Sequence, residues 1–180
     1  MTILDDSLIE TTETRQAAPI ARGYAVVYDR SARVYQVTDA AGNVVQTFPS
    51  KDKGAAVRFA ICMADPALGA RAARMAQRNP LLERVAWAGA ELAANNAVEI
   101  MTPVQVSETG VAAMVDSSDG MGRYAIATEP VPGHALLCVM TCNCAYHSSG
   151  AAPVSASGYG RVCKHIAAYW FTRNTQEALQ

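Results

Sequence analysis

Two short pairs of potential metal ligands constrain this chain more than any other feature. Cys142 and Cys144 are separated by one residue, and Cys163 and His165 repeat that spacing further along the chain. Zinc takes thiolate sulfur and imidazole nitrogen in a tetrahedron, and a site closed by four protein ligands has no open position for a substrate water. The pattern therefore predicts one structural Zn²⁺ ion held by these four residues.

Neighbouring residues leave alternatives to this ligand set open. His147 could replace one ligand or lie beside the ion, and His134 follows Pro132-Gly133 in a turn. Cys138 lies on the strand that leads to Cys142, where we expect it to be buried. An odd number of cysteines in a chain without a signal peptide favours thiolates that bind metal over disulfides.

The order Cys-x-Cys, loop, Cys-x-His resembles the SWIM zinc finger family. The resemblance covers residues 104–172: segments 111–115 and 123–126 look like the hairpin that leads into such a finger, and 163–168 is similar to the start of the family's helix. The loop 145–162 is longer than in many relatives. The resemblance implies a small stand-alone SWIM-domain protein. The family is associated with transposase-like, recombination-associated and chromatin-remodelling proteins and is considered a nucleic-acid or protein interaction module.

Sequence motifs of common catalytic sites are missing. The chain has no H-x-E with P-C-x-x-C, the signature of zinc deaminases, and no H-E-x-x-H. It also lacks G-x-S-x-G and a glycine-rich phosphate loop ending in Lys-Ser or Lys-Thr. We therefore expect a protein that is not an enzyme.

Composition and charge set the broad class. The chain has 180 residues, 51% of them hydrophobic, and a formal net charge of -1. No apolar run approaches the ~20 residues that span a bilayer, and residues 1–18 are polar and acidic, unlike a signal peptide. We expect a cytoplasmic protein without a membrane partner, in which residues 1–20 form a mobile acidic arm.

The pattern of apolar and turn residues predicts an α+β fold with two lobes. The first lobe, residues 21–97, reads as an antiparallel β-meander followed by Ala-rich helices. Its strands are predicted at 24–28, 34–37 and 44–48. Its helices are predicted from Ser50 as N-cap to Ala64, from Pro66 to Arg78, and from Asn79-Pro80 to Asn95, with Cys62 as a small core residue and Leu81, Val85, Ala88 and Leu92 as a buried stripe.

The second lobe, residues 98–180, carries the ligand pairs. Strands are predicted at 98–100, 104–106, 111–115, 123–126 and 135–140. A last amphipathic helix begins at the second ligand pair, has apolar positions at Val162, Ile166, Tyr169 and Trp170, and ends near Asn174. The zinc site closes this hairpin-and-helix lobe.

Positive and aromatic side chains around the ligand pairs suggest a nucleic-acid partner. No acidic residue occurs between Glu129 and Glu177, so the local surface can be positive although the whole chain is not. Arginines at i, i+3 and i+7 of the second helix share one face, which could contact phosphates or could simply be solvated. We predict an accessory factor in DNA metabolism that contacts DNA or RNA through Tyr146, His147, Tyr159, Arg161, Lys164, Arg173, Arg71, Arg74 and Arg78.

The near-neutral net charge keeps a second class of function open. Non-specific phosphate binding usually needs a broad basic surface, which this composition does not provide. The finger could instead dock a protein partner, as an adaptor or as a structural subunit of a larger assembly. Tyr169 and Trp170 would support that alternative if the last helix leaves them exposed.

Overall fold

The fold is α+β, as the sequence predicts, and contains two antiparallel sheets with helices between and after them. The computed structural model describes residues 19–20, 23–117, 120, 122–131, 133, 138–155, 158 and 160–177. Residues 1–18 of the predicted arm lie outside the described residues. Within the described part of the chain, no helix is both long and apolar enough to cross a membrane.

The first sheet is a meander of four strands. They are β1 Pro19–Ile20, β2 Tyr24–Asp29, β3 Val34–Thr38 and β4 Val44–Pro49, paired in that order. The side chain of Asp29 accepts hydrogen bonds from the backbone N–H groups of Ser31 and Ala32, at 2.9 and 3.0 Å, and so closes the β2–β3 turn. Val26 and Val37 pair across the sheet and are buried.

Three helices follow the first sheet, and a proline with the polar residue before it marks the start of the second of them. The helices are α1 Lys53–Ala64, α2 Pro66–Arg78 and α3 Glu83–Ala94. The carboxylate of Asp65 accepts the Leu68 N–H at 2.9 Å and caps α2. The predicted N-cap Ser50 is wrong, because α1 begins later, after Asp52.

A short 3₁₀ turn, Pro80–Leu82, separates α2 from α3 and changes which leucine is buried. The Asn79 side chain caps this turn by accepting the Leu81 N–H at 3.2 Å. Leu82 is 3% exposed, whereas Leu81 is 77% exposed. The prediction that Leu81 belongs to the buried stripe is wrong, because the tighter turn rotates it away from the α-helical face.

The second sheet also has four antiparallel strands. They are β5 Val98–Ile100, β6 Val111–Asp116, β7 Arg123–Pro130 and β8 Cys138–Cys142, paired in that order. Residues 135–137 of the predicted last strand lie outside the described residues. The predicted strand at 104–106 is wrong: α4 Pro103–Thr109 occupies that segment, because Thr102 and Gln105 form a capping box at its start.

The last helix, α6 Lys164–Glu177, packs against α3 and the second sheet and extends beyond the predicted end at Asn174. Tyr169 is 5% exposed, so the condition under which it would support protein docking is not met. Trp170 is half-buried, and its indole Nε1 donates to Met140 Sδ at 2.9 Å. Buried residues of both predicted lobes belong to one hydrophobic core.

Close contact between α3 and α6 depends on a glycine. A Cβ atom at Gly89 would lie 2.6 Å from Ala167 Cβ and 2.9 Å from the carbonyl oxygen of Lys164. Those distances are far below van der Waals contact, so the two helix backbones can approach this closely only where a side chain is missing. Gly89 therefore sets the position of α6 against the rest of the core.

Replacing Gly89 with alanine tests this contact. We expect Gly89→Ala to lower the free energy of unfolding by about 1–3 kcal/mol, since the added methyl group overpacks the interface. Gly54→Ala is the matched control, because its Cβ would meet only the flexible end of Arg58 at 3.8 Å and should change stability by less than about 1 kcal/mol. Urea unfolding of both variants measures the difference, and equal stabilities would contradict the role given to Gly89.

Candidate metal centre

The end of one strand and the start of one helix bring the two ligand pairs together. Cys142 is the last residue of β8, and Cys144 is the N-cap of the short helix α5 Ala145–Ser148. Cys163 and His165 lie at the start of α6. All four residues are buried, and their ligand atoms lie within 4.8 Å of one another. This Cys₃His cluster could hold a metal ion.

Distances within the cluster suit tetrahedral coordination. His165 Nδ1 lies 3.7 Å from Cys142 Sγ and 3.9 Å from Cys163 Sγ. Metal–sulfur bonds of about 2.3 Å and metal–nitrogen bonds of about 2.0 Å place neighbouring donor atoms of a tetrahedron about 3.5–3.8 Å apart. The histidine nitrogen therefore lies near tetrahedral spacing from these two sulfurs, and the four donor atoms all lie within 4.8 Å of one another.

Asn143, between the first two cysteines, holds their turn against the sheet. Its side-chain oxygen accepts the Ala125 N–H at 2.9 Å, and its backbone N–H donates to the Ala125 carbonyl at 3.4 Å. These bonds extend the pairing of β7 beyond the end of β8. Sequence spacing identifies the cysteines but gives no sign that the intervening residue anchors them.

Tyr124 on β7 orients the histidine of the cluster. Its ring stacks on His165 with centroids 4.3 Å apart and an interplanar angle of 29°. His165 Nε2 is buried and has no hydrogen-bond partner among the described residues, so the orientation of the imidazole depends on packing, including the stacked ring, and not on the hydrogen bond that usually fixes a ligand histidine. No sequence motif marks Tyr124 as a site residue.

The three thiols of the cluster differ in how readily they ionise. A hydrogen bond from Cys142, together with the neighbouring His165, lowers the pKa of Cys163. The same hydrogen bond, together with burial, raises the pKa of Cys142, and burial raises the pKa of Cys144. One thiolate is therefore favoured in the metal-free cluster, and a bound cation would be needed to stabilise three.

Neither of the described alternative ligands, His147 and Cys138, belongs to the ligand group. Cys138 lies at the start of β8 with an exposed side chain. The expectation that Cys138 is buried is therefore wrong. Cys62 is also exposed, which contradicts its predicted place in the core, because the buried face of α1 is formed by Ala56, Val57, Ala60 and Ile61. His134 lies outside the described residues.

A cavity of about 480 Å³ opens beside the cluster. Its wall includes Cys144, Cys163 and His165, but also polar side chains from three other parts of the fold. Among the described residues that line it there is no carboxylate, whereas there are two cations and two aromatic hydroxyls: Arg84, Lys164, Tyr124 and Tyr146. Arg84 on α3 was not singled out by sequence reasoning, because only the packing of α3 against α6 places it here.

Lys164 is also close to an acidic residue outside the cavity wall. Burial raises the pKa of Glu91 on α3, and the charges of Lys53 and Lys164 partly oppose that shift. The positive charge of Lys164 thus interacts with Glu91 as well as with the cavity. Arg84 supplies the second positive charge of the cavity.

The other residues predicted to contact nucleic acid are dispersed. Arg161 braces the loop after α5, because its guanidinium donates to the Ala152 carbonyl at 2.7 Å and its backbone bridges Val154. Arg173 is exposed on α6, and Tyr159 lies outside the described residues. A separate cavity is lined by Arg71, Arg74 and Arg78.

Comparisons of the chain with protein-family models, curated proteins and solved structures found no significant match. Function is therefore inferred from the residues of the site and their geometry, and membership of the SWIM family stays a proposal.

Cysteine variants test the metal centre. We expect about one metal ion per wild-type chain and a loss of most of it in Cys163→Ser, because a hydroxyl is a poor replacement for a thiolate ligand. Cys138→Ser is the matched control and should retain the ion, since Cys138 lies outside the cluster. Elemental analysis after dialysis measures the content, and metal-free wild-type protein would contradict the assignment.

Chelation tests how far the metal supports the fold. Removal of the ion should unfold the start of α6 and the segment after β8, because binding free energy at a structural site is folding free energy. Circular dichroism should then show a loss of helix that is restored when metal is added back. An unchanged spectrum and an unchanged melting temperature would show that the cluster contributes nothing to stability.

Proposed function

We propose that this chain is a non-enzymatic, SWIM-type zinc protein that binds DNA or RNA beside its metal centre. Three thiolates and one imidazole form a donor set that suits zinc. Four protein ligands complete a tetrahedron, which supports a structural ion without an open position for a substrate. The four ligands are Cys142, Cys144, Cys163 and His165.

The observation that carries nucleic-acid binding is the composition of the cavity beside the cluster. Arg84 and Lys164 supply positive charge there, and Tyr124 and Tyr146 supply aromatic rings. Single-stranded nucleic acids are held by this combination, in which cations contact the phosphates and rings stack on the bases. Tyr146 is 50% exposed and is the ring most accessible to a base.

Metal binding would couple directly to this surface. Lys164 lies between Cys163 and His165, and Tyr146 is the second residue after Cys144. An ion that fixes the three ligands therefore also fixes the backbone that carries the two contact residues. This link explains how a structural ion can be required for binding without touching the nucleic acid.

Oligonucleotide titration tests the proposal. Wild-type protein should bind a fluorescent single strand at low salt, and Lys164→Glu should weaken binding by roughly tenfold, because it replaces a phosphate contact with a repelling charge. Arg30→Glu is the matched control: it makes the same charge change at an exposed turn of the first sheet and should alter the affinity less than about twofold. Fluorescence anisotropy measures both.

The outcome that would overturn the proposal is a failure of metal-loaded wild-type protein to bind single or double strands at low salt. Affinity should also fall as salt rises, with a slope of about 0.7 per phosphate contact on a log–log plot. A salt-independent interaction would contradict contacts to phosphate.

Protein docking is a second candidate, favoured by exposed apolar surface at the same cavity. Leu81 is 77% exposed and lines the cavity rim together with Tyr146. A docked protein would cover both side chains. A stoichiometric partner that survives nuclease and high salt, and that is lost in Leu81→Asp but kept in Lys164→Glu, would support this function over nucleic-acid binding.

A further inference from the structure

A second cavity, of about 470 Å³, lies between α2 and α6. Arg71, Arg74 and Arg78 of α2 contribute to its wall, and Trp170 and Phe171 of α6 lie across from them. This arginine cavity contains none of the metal ligands among its described lining residues. Its chemistry can therefore be considered apart from the metal centre.

The charge of the arginine cavity has one sign. Its described lining residues include three guanidinium groups and no carboxylate. Guanidinium groups bind phosphate oxygens through paired N–H donors, and a concave site with one sign of charge concentrates counter-ions. Arg71 and Arg78 are seven residues apart on α2, about 10 Å along the axis, which three stacked nucleotides cover at about 3.4 Å each.

The opposite wall is aromatic and held in place. Trp170 is half-buried, and its bond from Nε1 to Met140 Sδ restricts the rotation of the indole. Phe171 and Leu82, both 3% exposed, support the wall from the core side. An indole next to guanidinium groups suits a ligand in which a planar ring is attached to a phosphate. Such a ligand is a nucleotide.

We propose that the arginine cavity binds a single-stranded segment of nucleic acid, with phosphates on the arginines and a base against Trp170. This inference rests on the proposed function and extends it to a second contact site. The Pro80–Leu82 turn connects the two cavities: Leu82 lines the arginine cavity, and Leu81 lines the cavity beside the metal centre. One strand can pass over this turn and contact both.

Base stacking on Trp170 is tested by fluorescence. The chain has two tryptophans, so Trp87→Phe leaves Trp170 as the only reporter. Titration of this variant with a single-stranded oligonucleotide should quench the emission, and added salt should reverse the quenching. Binding detected by anisotropy without any change in Trp170 emission would overturn the placement of a base on this ring.

The arginines are tested with a double substitution at two exposed positions, Arg74→Glu with Arg78→Glu. The affinity for single strands should fall roughly tenfold or more, whereas the control with the same charge change per site, Arg30→Glu with Arg33→Glu, should change it less than about twofold. Circular dichroism and metal content should match the wild type in both variants, and the milder pair Arg74→Gln with Arg78→Gln gives the same readout if charge reversal unfolds the chain.

The pattern of results separates this inference from the function it rests on. If wild-type protein binds strands and only Lys164→Glu weakens binding, the arginine cavity is not a contact site and the inference is wrong, while the proposed function stands. If wild-type protein binds no strand, both are wrong. If mononucleotides quench Trp170 as strongly as oligonucleotides of equal nucleotide concentration, the cavity serves a free nucleotide and the strand path is wrong.

Discussion

The join between the end of β8 and the start of α6 is the constraint on which the rest of the site depends. Cys142 and His165 are 23 residues apart in sequence, yet their ligand atoms lie 3.7 Å apart. That proximity requires α6 to lie close to the sheet, and Gly89 allows it because no side chain separates α3 from α6. The metal ligands and the contact with α3 thus both position the start of α6, one from the side of the second sheet and the other from the side of α3.

This arrangement also explains why two cavities exist. Near its start α6 packs against α3 and lines the cavity beside the segment after β8, and further along it lines the second cavity together with α2. Lys164 therefore faces the cavity beside the ligands, whereas Trp170 faces the arginines. Five of the 15 lysines and arginines line these two cavities, so positive charge lines both of them although the net charge of the chain is -1.

Helix and strand boundaries were predicted best where a capping residue and a proline mark the same boundary as the spacing of the apolar residues. The bounds of α2 follow from Asp65 and Pro66 at its start and from Asn79 at its end. Short segments were harder to predict, because two apolar residues at alternate positions suit a strand as well as a helix. Val104 and Val106 are such a case, and the capping box of Thr102 decides for the helix. Cys138 is exposed because it lies at the start of β8, an edge strand of the second sheet. The residues around it in sequence do not indicate which strand lies at the edge.

The sequence by itself determined the donor chemistry, since residue type and spacing within each ligand pair are local properties of the backbone. It also determined the class of fold, because the spacing of apolar residues and the position of turn residues are patterns that extend over only a few residues. Only the tertiary structure decided that Tyr124 stacks on His165, that Arg84 joins Lys164, and that the arginines of α2 face an indole. Those neighbours come from distant segments, and their meeting depends on how the whole core packs.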